Sequence, residues 1–305
     1  MTSPSGFRER FDALLVSGRH DFELDHLESS LQIFEEALRL ARDAGDRIAE
    51  DRAFVNACAV RMTIERLSGI PGEMFNQLRE ILLAGADEVN CRLAAYNLAR
   101  AYEFKKENRK GLFYARIARD RSLELGHEEW LASSLNQIAN FLLAESRFED
   151  ACADYQQALA LMPTSPSRRR ALVEDNLGYS YVMLGRNRDG LRLLYGALRT
   201  LLRLGARRDS IVPRLDLAFT LIEAGRYRSA ARHAAHALAL SEEFGEQDST
   251  KNALFLLGEA ANLAGDTDTA LDLFSRLEQR YFPGATHLAE CLLTVNVRKL
   301  INLRA

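Results

Sequence analysis

Five polar side chains recur at one position of a repeating pattern: Asn56, Asn97, Gln137, Asn176 and Asp216, each about 40 residues from the next, before Leu256 ends the series. An amide carries both a donor and an acceptor, so it can hold a peptide unit in both directions. A row of amides on one face would grip an extended backbone with little regard to its side chains. The same residue types also tie down a neighbouring helix or turn, and the pattern leaves both roles open. Three residues after this slot come Arg100, Asn140, Tyr179, Phe219 and Glu259, and one residue before it come Tyr96, Asn136, Asp175, Leu215 and Phe255. Arg100 and Asn140 would add polar selectivity. Tyr179, with Tyr96 and Phe219, would offer an apolar platform of the kind that dominates many interfaces. Leu215 and Phe255 read as packing.

A second set is cationic. Arg188, Arg192, Arg199 and Arg203 are spaced four, seven and four apart and so share one helical face, and Arg168, Arg169 and Arg170 precede them. Guanidinium forks suit carboxylates and phosphates, so an acidic partner segment is one reading of the stripe. A solvated or ion-pairing helix face is the other. Eleven Arg against four acids lie between Arg168 and Arg214, and ten acids against three Arg between Asp21 and Asp51. Such asymmetry fits a polarised groove or end-to-end contacts as well as solvated faces. Net charge is −3 and the pI is near 6.1, so neither nucleic acid nor a membrane surface is demanded, and nucleic acid is disfavoured.

Catalytic patterns are missing. There is no P-loop, dinucleotide fingerprint, GxSxG elbow or HExxH. His233 and His236 lie three apart without a third ligand, and the pairs Glu35-Glu36 and Glu242-Glu243 read as solubilising charge. No enzyme activity, cofactor or metal is expected. Cys58, Cys91, Cys152 and Cys291 form no CxxC pair and read as buried free thiols in a reducing compartment. Met1–Gly6 lacks the basic-then-apolar pattern of a leader, and no stretch has the length of a membrane span. The expectation is a cytoplasmic protein.

The elements that must position these residues follow from a series of small ones. Gly18, Cys58, Ala99, Ala139, Gly178, Ala218 and Gly258 are 39 to 41 residues apart. A second small residue recurs twelve later, at Ser30, Gly111, Ala151, Gly190, Ala230 and Ala270. Small residues at fixed intervals let paired helices approach closely, and the Ala-, Leu-, Arg- and Glu-rich composition favours helix. Gly185, Gly225 and Gly265 fall just past helix ends, Pro163 stops a helix, and Asp248 and Asp266 suit caps. Each hairpin buries its apolar face only against its neighbours, so the units must stack.

The unit from Leu135 to Pro163 carries Ile138-Ala139, Leu142, Ala151, Tyr155, Ala158 and Pro163 at spacings that resemble the tetratricopeptide repeat. The units at Asn176 and Leu217 follow it closely, and the resemblance covers roughly residues 10–280. It implies an all-α, right-handed superhelical solenoid of about seven helix hairpins with a C-terminal capping helix. Residues 1–305 would form a single domain, with 7–90 divergent repeats, 91–282 well-matched repeats and 285–305 the cap, its face made by Leu288, Cys291, Leu292, Val295 and Leu300. The period exceeds the ordinary 34 of the family and is similar to that of bacterial peptide-sensing regulators, the maltose-regulator class and kinesin light chains. Ile70-Pro71-Gly72 interrupts the second unit, and Arg61 stands where an aromatic or Leu is usual. The resemblance implies that first helices line a concave groove. It also implies a non-enzymatic scaffold or adaptor that binds a peptide or partner-protein segment through Asn56, Asn97, Gln137, Asn176 and Asp216. The alternative is a regulatory or sensor subunit controlling a transcription factor, kinase or protease. Such relatives carry an amino-terminal helix-turn-helix or bundle, for which Met1–His20 is too short.

Overall fold

The computed structural model describes residues 4–64, 71–299 and 302–304. Among the described residues there are fifteen α-helices and no strand, the all-α architecture that the resemblance implies. The chain divides into two compact units, Met1–Phe141 and Leu142–Ala305.

The first unit contains α1 (Pro4–Glu23), α2 (Leu27–Ala44), α3 (Arg47–Ile64), α4 (Gly72–Ala84), α5 (Glu88–Phe104), α6 (Asn108–Glu124) and most of α7 (Glu128–Ala144). From α1 to α6, helices adjacent in sequence pack on one another, and α3 also lies against α5, so first helices of successive hairpins form a row. Phe11, Leu15, Phe34 and Ala37 meet Ala53 and Val60 in one apolar cluster. Cys58, Phe75, Leu78, Leu98 and Tyr102 centre a second. Arg61, in its unusual place, reaches Glu35 at 2.5 Å. Of the interruption at Ile70-Pro71-Gly72, Ile70 lies outside the described residues; Pro71 stands just before α4 with φ −56°, a value its ring favours.

The second unit contains α8 (Phe148–Leu161), α9 (Arg168–Met183), α10 (Asn187–Arg203), α11 (Ile211–Glu223), α12 (Tyr227–Glu243), α13 (Gln247–Leu263), α14 (Thr267–Tyr281) and α15 (Leu288–Thr294). Here α9 packs on α11 and α11 on α13, again a row of first helices. The close approach that the small residues imply is clearest between α9 and α10. A Cβ added to Gly190 would stand 2.7 Å from the Gly178 carbonyl oxygen, and one on Gly178 would stand 3.0 Å from Leu194 Cγ. Both glycines are therefore needed for backbone to touch backbone. Gly185, at φ +76° after α9, turns the chain in the left-handed region that other residues avoid.

Three local expectations change. Asp266 does cap α14, accepting from Thr269 N at 3.2 Å, but Asp248 lies inside the first turn of α13, where its charge suits the positive end of the helix. Cys58, Cys91 and Cys152 are buried free thiols, whereas Cys291 is exposed. Of the helix expected over Ala285–Arg304, the described residues form an α-helix at Leu288–Thr294 and a 3-10 turn at Val297–Lys299. Val295 is extended, with φ −106° and ψ 122°, and the chain leaves the helix because Arg298 and Arg304 enter buried acidic sites. Leu300, assigned to that helix face, lies outside the described residues.

Candidate functional site

The amide series divides between the two units. In the first, Asn56 Nδ2 donates to Arg52 O in its own helix at 2.7 Å. Asn97, 2% exposed, donates to Val55 O of α3 at 2.6 Å. Gln137 is buried and donates to Tyr96 O of α5 at 3.2 Å. Asn97 and Gln137 therefore tie a first helix to the first helix of the preceding repeat. Arg100 behaves likewise, donating to Ala59 O at 3.1 Å and Thr63 Oγ1 at 2.7 Å in the last turns of α3, and Asn140 donates to Glu103 Oε1 at 3.3 Å. The groove-facing ladder expected of Asn97 and Gln137 is not how these side chains lie. A carbonyl of the neighbouring repeat is within reach of each NH2 group, and burial makes that bond worth keeping.

In the second unit the slot holds Asn176 and then Asp216; Asp175 stands one residue before Asn176, and the partners of the two acids come from far along the chain. Asp175 and Asp216, on α9 and α11, are each 1% exposed. Nη2 of Arg304 lies 2.7 Å from Asp175 Oδ2 and also bonds Asp216 Oδ2. Tyr179, wholly buried, puts its ring centroid 5.5 Å from the Arg304 guanidinium carbon. Its hydroxyl donates to Asn302 Oδ1 and accepts from Leu303 N, both at 3.1 Å. Asn252 of α13 donates to Leu303 O at 3.2 Å. Asn302 Nδ2 donates to Leu143 O at 2.8 Å and to Ser146 Oγ at 3.2 Å. Asn176 is half-buried on α9.

The electrostatics follow from burial. Removal from water raises the Asp175 carboxyl well above the usual range; the charge of Asp216 adds to the rise and Arg304 opposes it. Burial also raises Asp216, again against Arg304. For Arg304 burial works against the charge, but Asp216 and Asp175 outweigh it and hold the guanidinium more firmly protonated than usual. Asp175 Oδ1 and Arg304 Nε are nonetheless buried without a hydrogen-bond partner. A cleft of about 120 Å³ beside this pair is lined by Val212, Leu215, Asp216, Ser249, Asn252 and Arg304, among others.

A second cation repeats the arrangement. Arg298, 8% exposed, lies 2.9 Å from Glu223 and also pairs with buried Glu259, whose carboxyl is raised by burial and lowered by Arg298. The acids Asp175, Asp216 and Glu259 were visible in the repeat slots. Their partners Arg298, Asn302 and Arg304 were not, because they were assigned to a capping helix.

The arginine stripe is where the spacing puts it. Arg188, Arg192, Arg199 and Arg203 are all exposed on α10, with Arg192 3.8 Å from Asp189. Arg168 and Arg170, by contrast, are engaged by Asp209 and Glu174. Among the described residues no group of three or more His, Cys, Asp or Glu could hold a metal ion, and no helix is long and apolar enough to cross a membrane. Leu215 and Phe255 are buried packing residues.

Residues 209–281 match the tetratricopeptide repeat family. No curated protein matches the chain in sequence. Solved structures share its fold at low identity. A Rap protein complexed with Competence and Sporulation Factor superposes with a TM-score of 0.73 at 14% identity, over 95% of this chain and 79% of that one. The apo form of the quorum sensor NprR from B. thuringiensis gives 0.70 at 14% identity, over 94% and 80%. NprR in complex with its cognate peptide NprX gives 0.71, also at 14% identity and over the same shares.

Proposed function

We propose that this chain of tetratricopeptide-type repeats is a non-enzymatic protein-interaction scaffold. The first-helix row of its second unit receives an extended polypeptide segment. One observation carries the reading: residues 302–304 already lie on that row, and α9 and α13 hold both the amide and the carbonyl of Leu303. Contacts to backbone are indifferent to the side chain between them, so the same groups suit a segment from another protein. That NprR is seen with a cognate peptide agrees with this use of the fold.

The sites on this reading are Tyr179, Asp216 and Asn176 of the original series, joined by Asp175 and Asn252. Asn97, Gln137, Arg100 and Asn140 brace the first unit instead, and Asn56 bonds within its own helix. A regulatory role in a complex is the second reading, favoured by one fact: the row is occupied by the chain's own segment, so binding a partner there requires exchange.

Selection of binders from a random displayed peptide library, followed by hydrogen exchange, tests the reading. Selected peptides should slow exchange in α9, α11 and α13. Protection confined to α10, α12 and α14, or a library that yields no binder, would contradict it.

A further inference from the structure

We propose that Asp175, Asp216 and Tyr179 form an arginine receptor, filled in the free chain by Arg304, and that an extended partner segment bearing an arginine takes the same seat by displacing residues 302–304. This deepens the scaffold reading and rests on it.

Two acids buried side by side are served by a cation, since whichever of them is ionised is costly to leave unpaired out of water. The ring of Tyr179 beneath the cation and the two acids beyond it favour a planar guanidinium over a lysine ammonium. The present occupant uses the site incompletely. A single nitrogen, Nη2, serves both carboxylates, while Asp175 Oδ1 and Arg304 Nε stay unpartnered. An arginine approaching without the tether of residues 295–303 can present two nitrogens in the bidentate manner that such pairs prefer. The positions around it are also read. The residue before the arginine is held through its backbone, by Tyr179 and Asn252. The one before that is read as an amide, by Tyr179, Leu143 O and Ser146. The fitted sequence is therefore Asn-x-Arg, and the neighbouring 120 Å³ cleft gives room for a side chain next to the arginine.

The probe is the labelled heptapeptide Arg-Lys-Leu-Ile-Asn-Leu-Arg, the sequence of residues 298–304, beside a copy whose last arginine is the neutral isostere citrulline. Fluorescence anisotropy measures its binding to the full chain, to Arg304→Ala, and to Arg304→Ala combined with Asp175→Asn or Asp216→Asn. Self-occupancy lowers apparent affinity by the open fraction, so Arg304→Ala should bind about tenfold tighter or more than the unaltered chain. Citrulline, or either asparagine, should cost about tenfold or more, the range for a charge-assisted contact. If Arg304→Ala loses its helical signal, Arg304→Lys, which keeps a cation in the seat, carries the same comparison. Equal binding of arginine and citrulline peptides would overturn the receptor and leave the scaffold reading standing. Failure of the displayed library to yield any binder would instead remove the scaffold reading itself.

Discussion

In the first unit, Asn97 and Gln137 stand two residues before a small residue and donate to carbonyls of the preceding first helix. In the second, Asp216 stands at the same position of α11 and carries no amide N–H to donate. An ionised carboxylate only accepts, and a helix presents carbonyls, not donors, along its length. The amide therefore closes on its neighbour and seals the row, while the acid must import a donor. Here it imports Arg304, 88 residues away, as Glu259 imports Arg298. One change of residue type in one slot separates a bracing position from a recruiting one.

The largest expected effect comes from removing an imported cation. Arg298→Ala strands Glu259, and loss of one partner of a buried pair costs about 3–5 kcal/mol in chemical denaturation at neutral pH. Converting a brace into a recruiter comes next. Asn97→Asp puts an acceptor opposite the Val55 carbonyl and should cost about 2–3 kcal/mol at pH 7, recovering in part as acid protonates the new side chain. Asn97→Ala, which removes only the bond, should cost about 1–2 kcal/mol and leave heptapeptide binding unchanged. A loss of binding there would return the amides to a recognition role.

A slope with pH is the remaining effect, spread over several pH units. Asp175, faced by Asp216, Arg304 and Tyr179, has its folded pKa raised to about 8. The folded chain thus keeps a proton that the unfolded chain releases above pH about 4. Stability from this group is greatest at low pH and declines as pH rises from about 4 to about 8, by less than about 1.4 kcal/mol per unit, the limit for one proton. Denaturation midpoints measured across that window should show the decline in the unaltered chain and a flatter profile in Asp175→Asn.

The fold was legible because stacking writes itself into local sequence. The 39-to-41-residue recurrence of small residues marks helix crossings, and at Gly178 and Gly190 the backbones do touch. The site was only half legible. Slot position shows which face a side chain occupies, but whether Asn97 points to a partner or to Val55 O depends on the tilt of the next repeat, which no local pattern records. The partners of the acids were hidden further. Apolar residues at Leu288, Cys291 and Leu292 carry a helical period, and extending it to Arg304 overlooked the energy gained by seating two arginines among buried carboxylates. That energy acts between residues 88 and 129 positions apart, and it overrides helix propensity worth only tenths of a kcal/mol per residue.

A double-mutant cycle between Asp216 and Arg304 tests the imported-cation account most directly. Stabilities of the unaltered chain, Asp216→Asn, Arg304→Ala and the double variant should give a coupling of about 1–3 kcal/mol, as for groups in direct ionic contact. Additive single effects, with a coupling indistinguishable from zero, would mean that Arg304 does not sit between the two aspartates, and the seat proposed for a partner's arginine would go with it.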